Sequence, residues 1–442
     1  MGVLTWAQAR FPQQRVFWAV SLGHLVNDIF MSMGPVMLVF ISSSGILPMN
    51  AAQLGLAVSL RQIAGALSQP LFGGIGDRTG GRWLGAGGVA WVIIVQTLSV
   101  LLAFTGSFTL MVVPFIAVGL GSGAFHPVAA SHAAEADPDN QARNMSYFFM
   151  FGQLGLAIGP VLGGILLQGA AQADDPTASS LMSVYLVGLI GIPLLPYMLG
   201  GIPQKAAHAA GQAARTARRA ASKLTWREAA APLLIVSLFV LLRSMAQQGS
   251  AAFIPVLLEQ RGYDPAAYGF VTGLYWIASG MVGVLWGHWA DRFGLRRVLL
   301  FAVVVGSPTL ILLPATQSLF AAAVVATLSG AILSGTHSLI VVFLQRLIPA
   351  GKGFATGIGL GGIFVAGALG SVFYGLLADG PAALSADPAV AAASTGIGLE
   401  AAFVVNGLMA LASAGLLLLI PSWAYQRQSA RPVPAVEPAA AD

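Results

Sequence analysis

Gly73-Gly74-Ile75-Gly76-Asp77-Arg78-Thr79-Gly80-Gly81-Arg82 returns later in the chain as Gly287-His288-Trp289-Ala290-Asp291-Arg292-Phe293-Gly294-Leu295-Arg296-Arg297. The two aspartates stand 214 positions apart, close to half of the 442 residues. Each stretch follows a long apolar run. A motif that recurs at half the chain length, at matching places in an apolar pattern, reads as two copies of one multi-helix unit.

Composition fits that reading. Charged residues are 8% of the chain and apolar residues 57%, with a mean hydropathy of +0.80. A soluble domain carries roughly 25% charge. Runs of 18 or more apolar residues are candidate membrane spans, because about 20 helical residues cross a bilayer. The sequence predicts twelve, at about 16–43, 53–76, 83–104, 109–134, 144–168, 180–200, 232–258, 268–290, 298–315, 318–347, 354–378 and 397–420. The first run, starting at Val16, is longer than a signal-peptide core and is expected to be retained. The expected fold is therefore an all-α integral membrane protein, twelve transmembrane helices in two pseudo-symmetric six-helix bundles. Residues 1–200 form the first bundle, 201–231 a cytoplasmic linker, 232–420 the second bundle, and 421–442 a disordered cytoplasmic tail.

Charge placement sets the orientation. With the N-terminus inside, eighteen of the twenty-one Lys and Arg residues fall in cytoplasmic segments, only Arg261 falls outside, and Arg61 and Arg243 lie within spans. That asymmetry is the positive-inside pattern. The net charge of +5 is thus a topology signal, with no nucleic-acid partner implied. The expected place is the cell inner (plasma) membrane, multi-pass, with both termini cytoplasmic and lipid as the surrounding partner.

The paired Gly-x-x-x-Asp-Arg-x-Gly-x-Arg loops resemble the signature of the major facilitator superfamily. By that resemblance, Asp77, Arg78 and Arg82, with Asp291, Arg292 and Arg296, are gating residues. A plain tight-turn salt bridge is the competing reading. Gly155, Gly159, Pro160 and Gly163 look like the G-x-x-x-G-P-x-x-G-G motif associated with antiport. Glycines four apart also permit close helix packing without any such role. Ser21-Leu22-Gly23-His24-Leu25-Val26-Asn27-Asp28 and Gly119-Leu120-Gly121-Ser122-Gly123-Ala124-Phe125-His126-Pro127 look like the fosmidomycin-resistance branch, proton-driven drug exporters of the inner membrane. Many drug antiporters of the superfamily carry an Arg in span four ahead of its glycines. Pro114 to Gly119 has none, so proton coupling would fall to another group.

Of sixteen acidic residues, only Asp28 is deep in a span, roughly 15 Å from Trp18 at 1.5 Å per residue. Buried ionisable groups in spans are functional candidates. Arg243 lies at similar depth, 215 positions on. The expectation is that both face a central cavity, paired directly or through solute and water, with Asp28 carrying the proton. The alternative is a permanent structural pair locking the halves. His24, one turn from Asp28, and His126 are further proton-coupling candidates. Substrate-binding candidates are Asn27, Arg61, Arg243, His126 and His337. Arg61 could instead snorkel, or pair with Glu259, Glu400 or lipid.

The function that follows is secondary active transport, proton-coupled efflux (antiport) of a drug-like small molecule or organic anion such as fosmidomycin. The alternative is a proton-coupled symporter importing a small metabolite. The expected partners are a small-molecule substrate and protons, with the chain a monomer. An enzyme is not expected, since no nucleophile, base and electrophile group at one depth. No cofactor is implied, and no nucleotide-binding loop is present. The absence of cysteine and of a ligand cluster at useful spacing leaves no metal site expected.

Overall fold

The computed structural model describes residues 12–137, 141–172, 177, 181, 188, 191–203, 226–348, 352–385 and 387–425. Its helices are α1 (Arg15–Ser43), α2 (Ala51–Thr79), α3 (Arg82–Ala103), α4 (Phe108–Glu135), α5 (Gln141–Ala171), α6 (Leu194–Gly201), α7 (Trp226–Glu259), α8 (Pro265–Phe293), α9 (Leu295–Leu312), α10 (Leu319–Ile332), α11 (His337–Leu347), α12 (Lys352–Asp379), α13 (Pro388–Ala392), α14 (Leu399–Leu419) and α15 (Ser422–Tyr425).

Among the described residues, nine helices are long and apolar enough to cross a membrane, or ten if the pair bent by 42° within α8 is one span. The chain is a multi-pass membrane protein, all-helical among the described residues. The expected count of twelve is not reached here for two reasons. The second helix, α2, is 29 residues long but carries Gln53, Arg61, Gln62 and Gln69. The expected sixth span lies largely outside the described residues, which show only Leu194–Gly201 of it. Most of the expected linker and all but the start of the expected tail also lie outside them. The tenth span departs from expectation in another way. It is broken into α10 and α11 by a 3-10 turn at Ser334–Thr336.

Local chemistry sets the ends. Asn50 caps α2 in a reciprocal capping box with Gln53, and Asp264 caps α8 ahead of Pro265. Each satisfies amides that the first helical turn leaves orphaned. At the other ends of these two helices the signature loops turn on Gly80 and Gly81 (φ 84° and 73°) and on Gly294 (φ 91°), backbone conformations that favour glycine.

The same packing order occurs in both parts of the chain. Helix α1 packs on α5, and α2 on α4; correspondingly α7 packs on α12, and α8 on α10. The two sets meet along α5–α8 and α2–α12. Helix α5 serves two neighbours at once. Gly155, Gly159 and Gly163 face Leu25, Ile29 and Met33 of α1, while Pro160 and Gly164 lie against Gly269 and Pro265 of α8. A Cβ on Gly155 would stand 2.5 Å from the Leu25 carbonyl oxygen, which is fixed backbone. A Cβ on Gly163 would meet the flexible Met33 side chain, which can yield. Gly155→Ala is therefore expected to cost about 1–3 kcal/mol, and Gly163→Ala less. Thermal melting of the two variants in detergent tests the order, and equal melting points would refute it.

Candidate proton and substrate site

One polar cluster lies inside the first helix set. His24 and Asp28 sit one turn apart on α1, and α4 brings in Ser122 and His126. The His24 Nε2 lies 3.3 Å from one Asp28 carboxylate oxygen, and the His126 Nε2 lies 3.7 Å from the other. Asp28 is 7% exposed and Asn27 is fully buried. Asn27 donates to Asp28 Oδ1 (2.8 Å) and to Ser122 Oγ (3.2 Å). Its own Oδ1 is buried without a partner. Gly152 of α5 closes the cluster. A Cβ there would overlap the His24 ring and stand 3.0 Å from Asp28 Oδ2.

The other ring nitrogens decide what the cluster can hold. His24 Nδ1 is 2.9 Å from the Phe148 carbonyl oxygen, and His126 Nδ1 is 2.8 Å from the Ser122 carbonyl oxygen. A carbonyl only accepts, so each Nδ1 carries the hydrogen. The neutral rings then turn bare Nε2 lone pairs toward a carboxylate. Apart from the Asn27 amide on Asp28 Oδ1, no donor then lies between the carboxylate and the two Nε2 atoms, which is unfavourable unless a small cation sits there. The three ligand atoms lie within 4.8 Å of one another; a proton can sit between His24 Nε2 and Asp28 at 3.3 Å, whereas His126 Nε2 at 3.7 Å stands just outside hydrogen-bond reach. They form a ligand group that linear spacing did not reveal, because His126 lies about a hundred positions from its partners. Stacking of the His24 ring on Phe148, with centroids 4.2 Å apart, fixes the ring plane.

Arg243 is elsewhere. Direct pairing of Asp28 with Arg243, one of the arrangements expected, does not occur: each group is held within its own helix set. The guanidinium is 0% exposed and donates to Gln247 Oε1 (3.1 Å), Thr336 Oγ1 (2.9 Å) and the Leu333 carbonyl oxygen. Ser334 Oγ in turn accepts from Gln247 Nε2 (2.6 Å) and lies 2.7 Å from Ser279 Oγ. The break between α10 and α11 strips carbonyls of their helical donors, and Arg243 supplies replacements. His337 is the first residue of α11, just beyond this clamp.

Arg61 does the same for α1. Proline at position 35 has no N–H, so the Met31 carbonyl lacks its helical partner. Arg61 Nη2 donates to that oxygen at 2.7 Å, and the guanidinium stacks 4.5 Å over the Phe115 ring. It is 2% exposed, so it does not snorkel, and the ion pair of Glu400 is with Arg261 (2.8 Å). Arg61 keeps Nε and Nη1, and Arg243 keeps Nε, buried without a partner, so each guanidinium retains donor capacity beyond the carbonyl oxygens it serves.

The signature loops lie at one end of the molecule. Arg82 Nε donates to the Ile202 carbonyl (2.7 Å), and Arg296 Nη2 donates to that of Leu418 (2.9 Å). Arg292 lies over the Phe293 ring. Asp77 lines an open cleft of roughly 170 Å³ with Gly73, Gly76, Gly80 and His132. Burial pushes the Tyr425 hydroxyl up to about 12, against the opposing pull of Arg296, so it stays a donor to the Leu417 carbonyl (2.6 Å).

A buried polar cluster between packed helices, with a second polar clamp in the repeat, defines a membrane carrier. The Major Facilitator Superfamily model matches residues 20–264 and again 236–440, and the chain belongs to that family of transporters, which are not enzymes. It is 25% identical over 370 residues to the fosmidomycin resistance protein of Escherichia coli (strain K12), covering 82% of this chain and 86% of that one. It is also 25% identical over 366 residues to the uncharacterized MFS-type transporter YfnC of Bacillus subtilis (strain 168), covering 81% and 85%. In fold it is similar to a bacterial homolog of the human lysosomal transporter Spinster in its inward-facing, unoccupied conformation (TM-score 0.65, 18% identity, 93% and 97% covered). A D-xylose–proton symporter is similar as well (TM-score 0.66, 15% identity, 91% and 96% covered).

Proposed function

We propose that this chain is a proton-coupled exporter that exchanges protons for a drug-like small molecule or organic anion such as fosmidomycin. Its setting is the inner membrane, with both termini in the cytoplasm and two six-helix bundles alternating around the midplane. The observation that carries the reading is the convergence of Asp28, His24 Nε2 and His126 Nε2 with both Nδ1 hydrogens committed elsewhere. Such a cage is closed by a proton and loosened by its loss, so its occupancy can bias a two-state carrier. Asn27 Oδ1, buried and unpartnered, is available to a donor on the solute. His126 is the more open of the two rings, with 24% of its side chain exposed against 5% for His24, and is the contact through which solute and proton compete. The Gly155–Gly163 stripe and the resemblance to a fosmidomycin resistance protein favour export.

The test is transport by purified protein in liposomes under an imposed pH gradient, with a competition panel of phosphonates, carboxylates and amphiphilic drugs. Solute movement opposite to the proton flux is the expected result. Movement in the same direction would replace antiport by import of a metabolite through symport. Flux indifferent to the gradient would remove proton coupling altogether.

A further inference from the structure

The two helix sets are fastened at the end away from the signature loops. There Gly55 of α2 approaches Ser371 of α12, Gly375 of α12 approaches Ala51 of α2, and Gly164 of α5 approaches Pro265 of α8. Near the loops, Gly74 and Gly287 face open space. Close backbone approach alone supplies no directional bond, yet four hydrogen bonds cross the seam at this end.

They come in two matching pairs. Asp379, the last residue of α12, accepts from the Ala52 amide at the start of α2 (2.9 Å), and Asn50 Nδ2 donates to the Ala383 carbonyl (3.0 Å). On the other side Gln168 of α5 accepts from the Ala266 amide at the start of α8 (3.2 Å), and its Nε2 donates to Asp264 Oδ2 (3.3 Å). Asn50 and Asp264 are the caps of α2 and α8. They stand 214 positions apart, as do Ala52 and Ala266, which is the offset of the signature loops. In each pair the amide of the second residue of a helix in one set is satisfied by a side chain from the other set. That amide has no acceptor within its own helix.

We infer that Asp379 and Gln168 form a reciprocal clasp, each capping a helix of the opposite half, and that the outer end opens only when both caps let go. The bond is directional and local, so it breaks over a fraction of an ångström of separation and makes closure all-or-none at this end. Asp379 adds a negative charge at the positive end of α2, so its side of the clasp is the stronger. The inference requires a two-state carrier and is independent of what the Asp28 cage binds.

The chain has no cysteine, so a pair of spin labels can be placed without background. Thr105→Cys and Gln317→Cys, both exposed in outer loops of opposite halves, report the separation of that end by pulsed electron resonance in liposomes without solute. Asp379→Ala and Gln168→Ala are each expected to raise the ratio of outer-open to outer-closed molecules by about fivefold, the loss of one cap. Asp379→Asn keeps an acceptor oxygen and should retain most of the closed population. Asp387→Ala removes a cap lying wholly within its own loop (2.9 Å to the Ala389 amide) and should leave the distances unchanged. Unaltered distances in both alanine variants, or an equal response to Asp387→Ala, would overturn the clasp. The distances are read with neither solute nor pH gradient present, so they test the clasp separately from proton coupling.

Discussion

Asp28→Asn is expected to abolish transport driven by a pH gradient while leaving solute exchange at a fixed pH. The amide is nearly the same shape and cannot take up a proton. Its NH₂ donates into the space where the bare Nε2 atoms converge, 3.3 and 3.7 Å from the carboxylate oxygens of the native residue. The variant thus imitates the protonated cage permanently. The carrier still rocks with solute bound, so counterflow persists, but no proton is exchanged for it. Stability should move by less than about 1 kcal/mol, because one buried partner replaces another. Gradient-driven efflux at wild-type rate from this variant would end the proposal that Asp28 carries the proton. Loss of counterflow as well would point instead to a purely structural carboxylate.

Arg243→Met has the opposite profile. Asp28→Asn should change coupling and spare the fold; Arg243→Met should spare coupling chemistry and damage the fold. Methionine fills much of the volume but leaves the Leu333 carbonyl, Thr336 Oγ1 and Gln247 Oε1 without the donors that Arg243 supplies. The Thr336 hydroxyl still donates to the Leu333 carbonyl (2.9 Å), so Gln247 Oε1 is the acceptor left orphaned, and a total of about 1–3 kcal/mol is expected. The readout is an apparent melting temperature several degrees below wild type in the same detergent. Residues around the α10–α11 break, Ser334 above all, should lose hydrogen-exchange protection first. A melting point equal to wild type would show that the clamp is dispensable.

Much of the architecture was legible in the chain. The Asp77 and Asp291 loops announced the repeat, and the apolar runs placed most helices to within a few residues. The caps at Asn50 and Asp264 sit where the runs begin. In the site, the i, i+4 spacing of His24 and Asp28 put both on one face of α1. What escaped was tertiary. His126 reaches Asp28 because α4 packs beside α1, and Gly152 lets α5 close over His24 and Asp28 from the other side; nothing local marks Gly152. Equal depth and a shared offset suggested that Asp28 and Arg243 meet. Pseudo-symmetry instead gives each half its own polar centre, and Arg243 is consumed by a helix break that carries no proline to betray it. The role of Arg61 was written in the sequence all along, in Pro35 four residues past Met31, but recognising it required knowing which side chain stood nearby.

Helix α5 carries a mechanical consequence. Its seams with α1 and α8 are lined by glycines that face backbone oxygens at Gly155, Gly159 and Gly164 and receive single side chains at Gly163, Gly273 and Gly280. Such seams can slide over a small angle with few rotamers having to flip, whereas interlocked leucines would have to disengage like gear teeth. The helix is in that sense a bearing between the two sets.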